Sequence, residues 1–157
     1  MNPTTPDDRW RQTHLGQMMS AASRRFDARV LAVMAHDDEL SLALANLAGR
    51  GALSAAHVHL TRHLPREGCS LTELAQRASV TKQAMGKLVD QCCAWDLVRR
   101  EADPRDARAT RIVFTDSGQQ WLSAYQRAVA QAQDEFAAAV GAEVSTVIHL
   151  GLEAYAS

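Results

Sequence analysis

Residues 70–114 read SLTELAQRASVTKQAMGKLVDQCCAWDLVRREADPRDARATRIVF, and the periodicity of this stretch changes once, near its middle. Its first half carries apolar residues at helical spacing. Ser70-Leu71-Thr72-Glu73 is a capping box, in which the Ser70 hydroxyl can accept from the Glu73 amide while the Glu73 carboxylate reaches back to the Ser70 amide. The helix starting there turns Leu71, Leu74, Ala75 and Ala78 inward. It is interrupted at Ser79-Val80-Thr81 and restarts at Lys82, with Met85, Leu88 and Val89 on the buried face. Two short helices joined by a tight turn, with small Ala75 at the crossing and Val80 plugging the corner, predict a helix-turn-helix. In the second half, Leu97–Glu101 and Ala109–Phe114 are β-branched or alternating, and Asp103-Pro104 suits the opening of a tight turn between them. That predicts a hairpin with a basic tip.

Working outward, apolar residues recur at Trp10, Leu15, Met18, Met19, Ala22, Phe26, Val30, Val33 and Met34, an amphipathic helix that follows a frayed, Pro-containing start. The polar patch His36-Asp37-Asp38-Glu39 precedes Leu40, Leu42, Leu44 and Leu47. Gly49-Arg50-Gly51 then closes either a continuation of that helix or a short second one. Ser54 can cap a further helix through Val58, Leu60 and Leu64, ending at Pro65. Beyond Thr115-Asp116-Ser117-Gly118, Trp121, Tyr125, Val129, Ala132, Phe136 and Val140 mark one long helix. Gly141 breaks it, and Val144, Val147, Ile148, Leu152 and Tyr155 mark another. The expected fold is mainly α with a small β-hairpin wing. It divides into N-terminal helices over 1–52, a winged helix-turn-helix over 53–118 and C-terminal helices over 119–157.

A helix followed by an arginine-armed hairpin suits duplex DNA, because a helix fits the major groove while a thin hairpin can track the backbone or enter the minor groove. The candidate readers are Ser70, Thr81, Lys82, Gln83, Gly86 and Lys87, at the helix starts and on the non-core face of the second helix. Gln83 can address an adenine edge bidentately, Lys82 and Lys87 can reach guanine or phosphate, and Thr81 can cap and touch phosphate. Gly86 lowers helix stability by roughly 1 kcal/mol against Ala, a cost that close approach to another surface would explain. On the hairpin the candidates are Asp103, Arg105, Arg108 and Arg111.

At these residues the chain resembles the multiple-antibiotic-resistance regulators (MarR) of bacteria, which are winged-helix transcription factors. The resemblance runs from about residue 53 to 118. It rests on Asp103-Pro104-Arg105-Asp106-Ala107-Arg108, then Ile112, Phe114-Thr115 and Gly118, and on the recognition-helix-like segment Ser79 to Asp90. It implies a homodimer with interlocked terminal helices and a DNA reader in each half, bound to a pseudo-palindromic operator. It further implies repression relieved when a small-molecule effector, or an oxidant, changes the spacing between readers. On the family's pattern Arg105 is the wing-tip arginine, Asp103 holds it or the recognition helix through a salt bridge, and Arg108 is a second phosphate contact. Phe114 stands where Leu is usual, Ala107 where a basic residue is common, and about two helices' worth of sequence precedes residue 53.

The terminal helices ask for a partner on physical grounds as well, since their amphipathic faces must bury against something and a twofold copy is economical. Two such readers would address half-sites ~10 base pairs apart, or a multiple of that.

Composition sets the limits. The chain of 157 residues, 46% hydrophobic, is one domain's worth of material and able to form a core. With a net charge of -1, any polyanion must meet a local patch. Arg99, Arg100, Arg105, Arg108 and Arg111 crowd together, whereas residues 119–157 set Arg127 against Asp134, Glu135, Glu143 and Glu153. The longest wholly apolar run, Val30 to Ala35, is far below the ~18 residues that span a bilayer, so a soluble, cytoplasmic protein without a membrane partner is expected. No phosphate loop, nucleophile elbow or paired acids suggest an enzyme, and no cofactor is expected. Three competing readings remain. Vicinal Cys92 and Cys93, with Lys87 or Arg99 supplying a positive field, would make a redox sensor. His59 and His63, four apart, with His36 and its acidic neighbours, would make a metal sensor. A winged helix can also dock proteins.

Overall fold

A computed structural model describes residues 9–49 and 55–157. The frayed start, the Gly51 stop and the Ser54 cap fall outside those residues. Eleven elements follow one another among the described residues: α1 (Trp10–Thr13), α2 (Leu15–Met34), α3 (Leu42–Gly49), α4 (Ala55–His63), β1 (Cys69–Ser70), α5 (Leu71–Arg77), α6 (Lys82–Ala94), β2 (Val98–Asp103), β3 (Asp106–Phe114), α7 (Asp116–Val140) and α8 (Ala142–Ala156). The fold is mainly α, as the sequence led one to expect, and the expected hairpin wing belongs to a small three-stranded antiparallel sheet.

The caps explain where the helices begin. His14 leaves helical geometry and its Nδ1 accepts from the Gln17 amide at 3.2 Å, so the expected first helix is split into α1 and α2. After Met34 the polar patch folds on itself, with the Asp37 carboxylate accepting from the Glu39 amide at 2.9 Å. The following leucines therefore form a separate helix, α3, and Leu42 is left on its outside. Thr115 caps α7 by accepting from the Gly118 amide at 3.0 Å. Gly141, at φ +93°, ends α7, and α8 departs from it at 118°. Among the described residues no single helix is long and apolar enough to cross a membrane.

Two layers result. In one, α7 packs along α2; small Ala124, Ala128 and Ala132 on α7 allow close approach to buried Val30 and Met34. Arg29 clasps Glu135 in a two-pronged ion pair at 2.6 Å, and Arg127 reaches Asp37 at 2.7 Å, lacing the outside of the same pair. The other layer is α4–α6 with the sheet, closed over Leu60, Leu74, Met85, Leu97 and Ile112. The layers meet at fully buried Trp121.

Strand order is β1-β3-β2. The two-residue β1 carries no periodic signal and was not anticipated; it pairs Cys69 with Ile112 and Ser70 with Arg111. The hairpin strands are also longer than their apolar runs, since cross-strand pairing continues outward to Asp103 and Asp106.

Candidate nucleic-acid interface

The helix-turn-helix is α5–α6, and the turn bends through Ser79 in the left-handed region at φ +54°. Ala75 is buried at the crossing as expected. Val80 is not a plug: at 36% exposure it faces outward, because the left-handed residue before it swings it away from the core. Ser70 caps α5 by accepting from the Glu73 amide at 3.1 Å, but the reciprocal half of the capping box is missing. Ser70 belongs to β1, and the Glu73 carboxylate takes Arg77 at 2.8 Å instead.

Thr81 caps α6, its Oγ1 accepting from the Ala84 amide at 3.1 Å, which leaves its hydroxyl proton free to donate outward. Met85, Val89 and Cys92 point into the core. Lys82, Gln83 and Lys87 stand exposed on the opposite side, with Gly86 half-buried between them. A Cβ at Gly86 would meet only Leu71 Cδ2 at 3.9 Å, an ordinary contact. Nothing inside the chain demands glycine there.

The wing sorts its arginines into two groups. Glu101 on β2 receives Arg111 at 2.6 Å and Arg99 at 3.2 Å, and the Arg111 guanidinium holds that carboxyl below the usual carboxylate range. Arg111 also donates to the Glu67 carbonyl at 3.2 Å, tying the sheet to the loop before β1. Arg100 reaches across to Asp90 on α6 at 2.7 Å, so the hairpin and α6 are clamped together. Arg105 and Arg108, by contrast, have no acidic partner among the described residues. The acids beside them are occupied with backbone: Asp103 accepts from the Arg105 amide at 2.8 Å and Asp106 from the Arg108 amide at 3.0 Å. The salt bridge expected of Asp103 is therefore replaced by a turn-stabilising bond, since a short Asp side chain two residues upstream reaches that amide more easily than a guanidinium. The Asp90–Arg100 clamp has no local signature, because its members are ten residues apart on different element types.

Burial pushes the Cys92 thiol up to about 12 and the Cys69 thiol up to about 11, and it raises Cys93 as well. The charge beside Cys93 is Arg100, its Nη1 4.0 Å from Sγ, rather than Lys87 or Arg99. His59 and His63 stack edge to face at 4.3 Å, and His59 Nε2 meets the Ala78 carbonyl at 3.1 Å. Among the described residues no three His, Cys, Asp or Glu side chains cluster as metal ligands. Two open hollows flank α7: one of about 320 Å³ lined by Arg66, Leu122, Tyr125, Gln126 and Val129, the other of about 440 Å³ between α2 and α7.

A capped second helix with a polar outer face, beside a hairpin whose tip carries Arg105 and Arg108 without acidic partners among the described residues, defines a winged helix-turn-helix fold. Comparison with known proteins sharpens the class. Residues 53–109 match the MarR family, and the resemblance seen in the wing and recognition helix holds. The chain has the fold of a MarR-family transcriptional regulator. Among solved structures it is similar to the transcriptional repressor CouR bound to a 23-mer DNA duplex, with TM-score 0.70, 18% identity and 99% of this chain and 100% of that chain covered. It is also similar to Bordetella bronchiseptica BpsR, whose DNA binding is regulated by 6-hydroxynicotinic acid, with TM-score 0.61, 16% identity and 99% of each chain covered. Wild-type apo MarR from E. coli follows, with TM-score 0.62, 20% identity and 90% of this chain and 96% of that chain covered. No curated protein sequence matches the chain.

Proposed function

We propose that this protein is a cytoplasmic repressor that binds a pseudo-palindromic operator as a homodimer and lets go when a small-molecule effector binds. The observation that carries this reading is the division of the cations. Arg99, Arg100 and Arg111 are bound to acids, while Lys82 and Lys87 on α6 and Arg105 and Arg108 on the wing face outward without such partners among the described residues. Folding does not need those four charges, and phosphate would satisfy them. Gln83 lies on the same face and reads base edges, Thr81 and Ser70 approach phosphate from helix starts, and Gly86 gives room for the duplex. Asp103 and Arg111 shape the wing that Arg105 and Arg108 arm. CouR's complex with a duplex and BpsR's response to a hydroxylated aromatic acid support the DNA and effector parts by analogy of fold.

Binding of fluorescent promoter fragments over a salt series tests the proposal. Affinity should fall with salt at a log-log slope near -0.9 per phosphate neutralised, so about four such contacts per protomer predict a steep line. A flat salt response, or no binding to any fragment at low ionic strength, rejects it and leaves protein docking as the better use of the same surface.

A further inference from the structure

Besides the packing around Trp121, two joints of different kind among the described residues hold the DNA-reading layer to the long helices. The first is covalent and tight. β3 runs into α7 through Thr115, whose hydroxyl donates to the Asp96 carbonyl, and a Cβ at Gly118 would lie 1.9 Å from the Leu97 carbonyl oxygen. Nothing can slide there, so this junction serves as a pivot. The second joint is made by side chains. Arg62, in the last turn of α4, donates through Nη2 to Asp27 of α2 and through Nε to the Tyr125 hydroxyl of α7 at 2.6 Å, with its guanidinium carbon 5.8 Å from the tyrosine ring centre. By backbone packing α4 belongs to the reader: it lies mainly on α6 and touches α2 only lightly.

Asp27 is the one buried carboxylate among the described residues, at 8% exposure. A buried charge stabilises little by itself, and an apolar residue of similar size would often do as well or better. What an ion pair adds is direction: a planar guanidinium meets two acceptors on two different helices in only one relative arrangement. We infer that Arg62 is a positioning residue which, held by Asp27 and Tyr125, fixes the angle of the reader about its pivot and thereby the distance between the two recognition helices of a dimer. This rests on the paired-reader function proposed above. It assigns Arg62 no contact with DNA.

The test is spacing rather than affinity alone. Operators whose centre is lengthened or shortened by one or two base pairs, together with a single half-site, are titrated with wild-type protein, Arg62→Met, Arg62→Lys, Tyr125→Phe and the double variant Asp27→Asn/Arg62→Met. The double variant leaves no orphaned charge and serves if Arg62→Met alone does not fold. Wild type is expected to favour one spacing. Arg62→Met or the double variant should reduce that preference on the order of tenfold while half-site binding stays at the wild-type level. Tyr125→Phe, which loses only the acceptor oxygen, should fall between, and Arg62→Lys should not restore the preference, since an ammonium cannot fork. A folded Arg62 variant with the wild-type spacing profile overturns the inference while leaving the regulator reading intact. A wild-type protein indifferent to spacing overturns the paired-reader function and the tether with it.

Discussion

Gly86 and Gly118 look alike in the sequence and are held for opposite reasons. At Gly118 a methyl group would be driven into the Leu97 carbonyl, so Gly118→Ala should destabilise the fold by roughly 3 kcal/mol, read as a lower denaturant midpoint. At Gly86 the methyl finds open van der Waals contact inside a helix, so Gly86→Ala should raise stability by about 1 kcal/mol. If the glycine is there to admit DNA, the same variant should bind promoter fragments more weakly than wild type. Greater stability with undiminished binding would mean that the duplex does not come close at this position. The same contrast shows what could be read from sequence at this scale. Gly86 stands out in the sequence because a helix-interior glycine costs something wherever it sits, whereas Gly118 shows its constraint only once Leu97, twenty-one residues upstream, is brought against it.

At the scale of elements the wing separates two kinds of arginine. Arg105→Ala should weaken operator binding by about 1–3 kcal/mol and reduce the salt slope by about one, with the melting temperature unchanged. Arg111→Ala removes the pair with Glu101 and the bond to the Glu67 carbonyl, so its first effect should be a lower melting temperature. Equal loss of binding and salt slope in both would mean that the hairpin pairs open on DNA. The α2–α7 layer supplies a pH-dependent counterpart. Arg29, with Gln131, holds the Glu135 carboxyl down at about 2 against an ordinary 4.5. Because the folded-state value is the lower one, the pair's contribution is complete above about 4.5 and disappears as pH falls toward 2. Glu135→Gln should therefore flatten the fall of melting temperature over that window and leave the neutral-pH slope alone. Helix periods and caps were legible in the sequence because they are local: α5, α6, α7 and α8 follow from Ser70, Thr81, Thr115 and Gly141 and from apolar spacing. The partners of charges were not. Asp90 with Arg100, Arg29 with Glu135 and Asp27 with Arg62 are joined only by the fold, and of the five arginines that crowd together in the sequence three prove committed to acids.

For the whole molecule the open question is what covers α8. None of its residues is buried; Val147, Leu150 and Tyr155 are 68%, 58% and 80% exposed, and Trp10 and Leu15 at the other terminus are each at 64%. A single protein chain seldom leaves so many large apolar side chains in water, whereas a twofold partner can take both termini at once. Sedimentation should accordingly give twice the 17.2 kDa of the chain. The wild-type melting temperature should rise with protein concentration, because dissociation accompanies unfolding. Replacing Val147 and Leu150 together by Glu puts charge into that face without touching the core of either layer. The variant should lose the concentration dependence, and it should keep binding a single half-site while losing most of its affinity for the full operator. Should the variant prove too unstable to isolate, the concentration dependence of the wild type still decides the matter: a monomer that melts at one temperature at every concentration leaves α8 without a twin to cover it, and with it goes the spacing of two readers on one duplex.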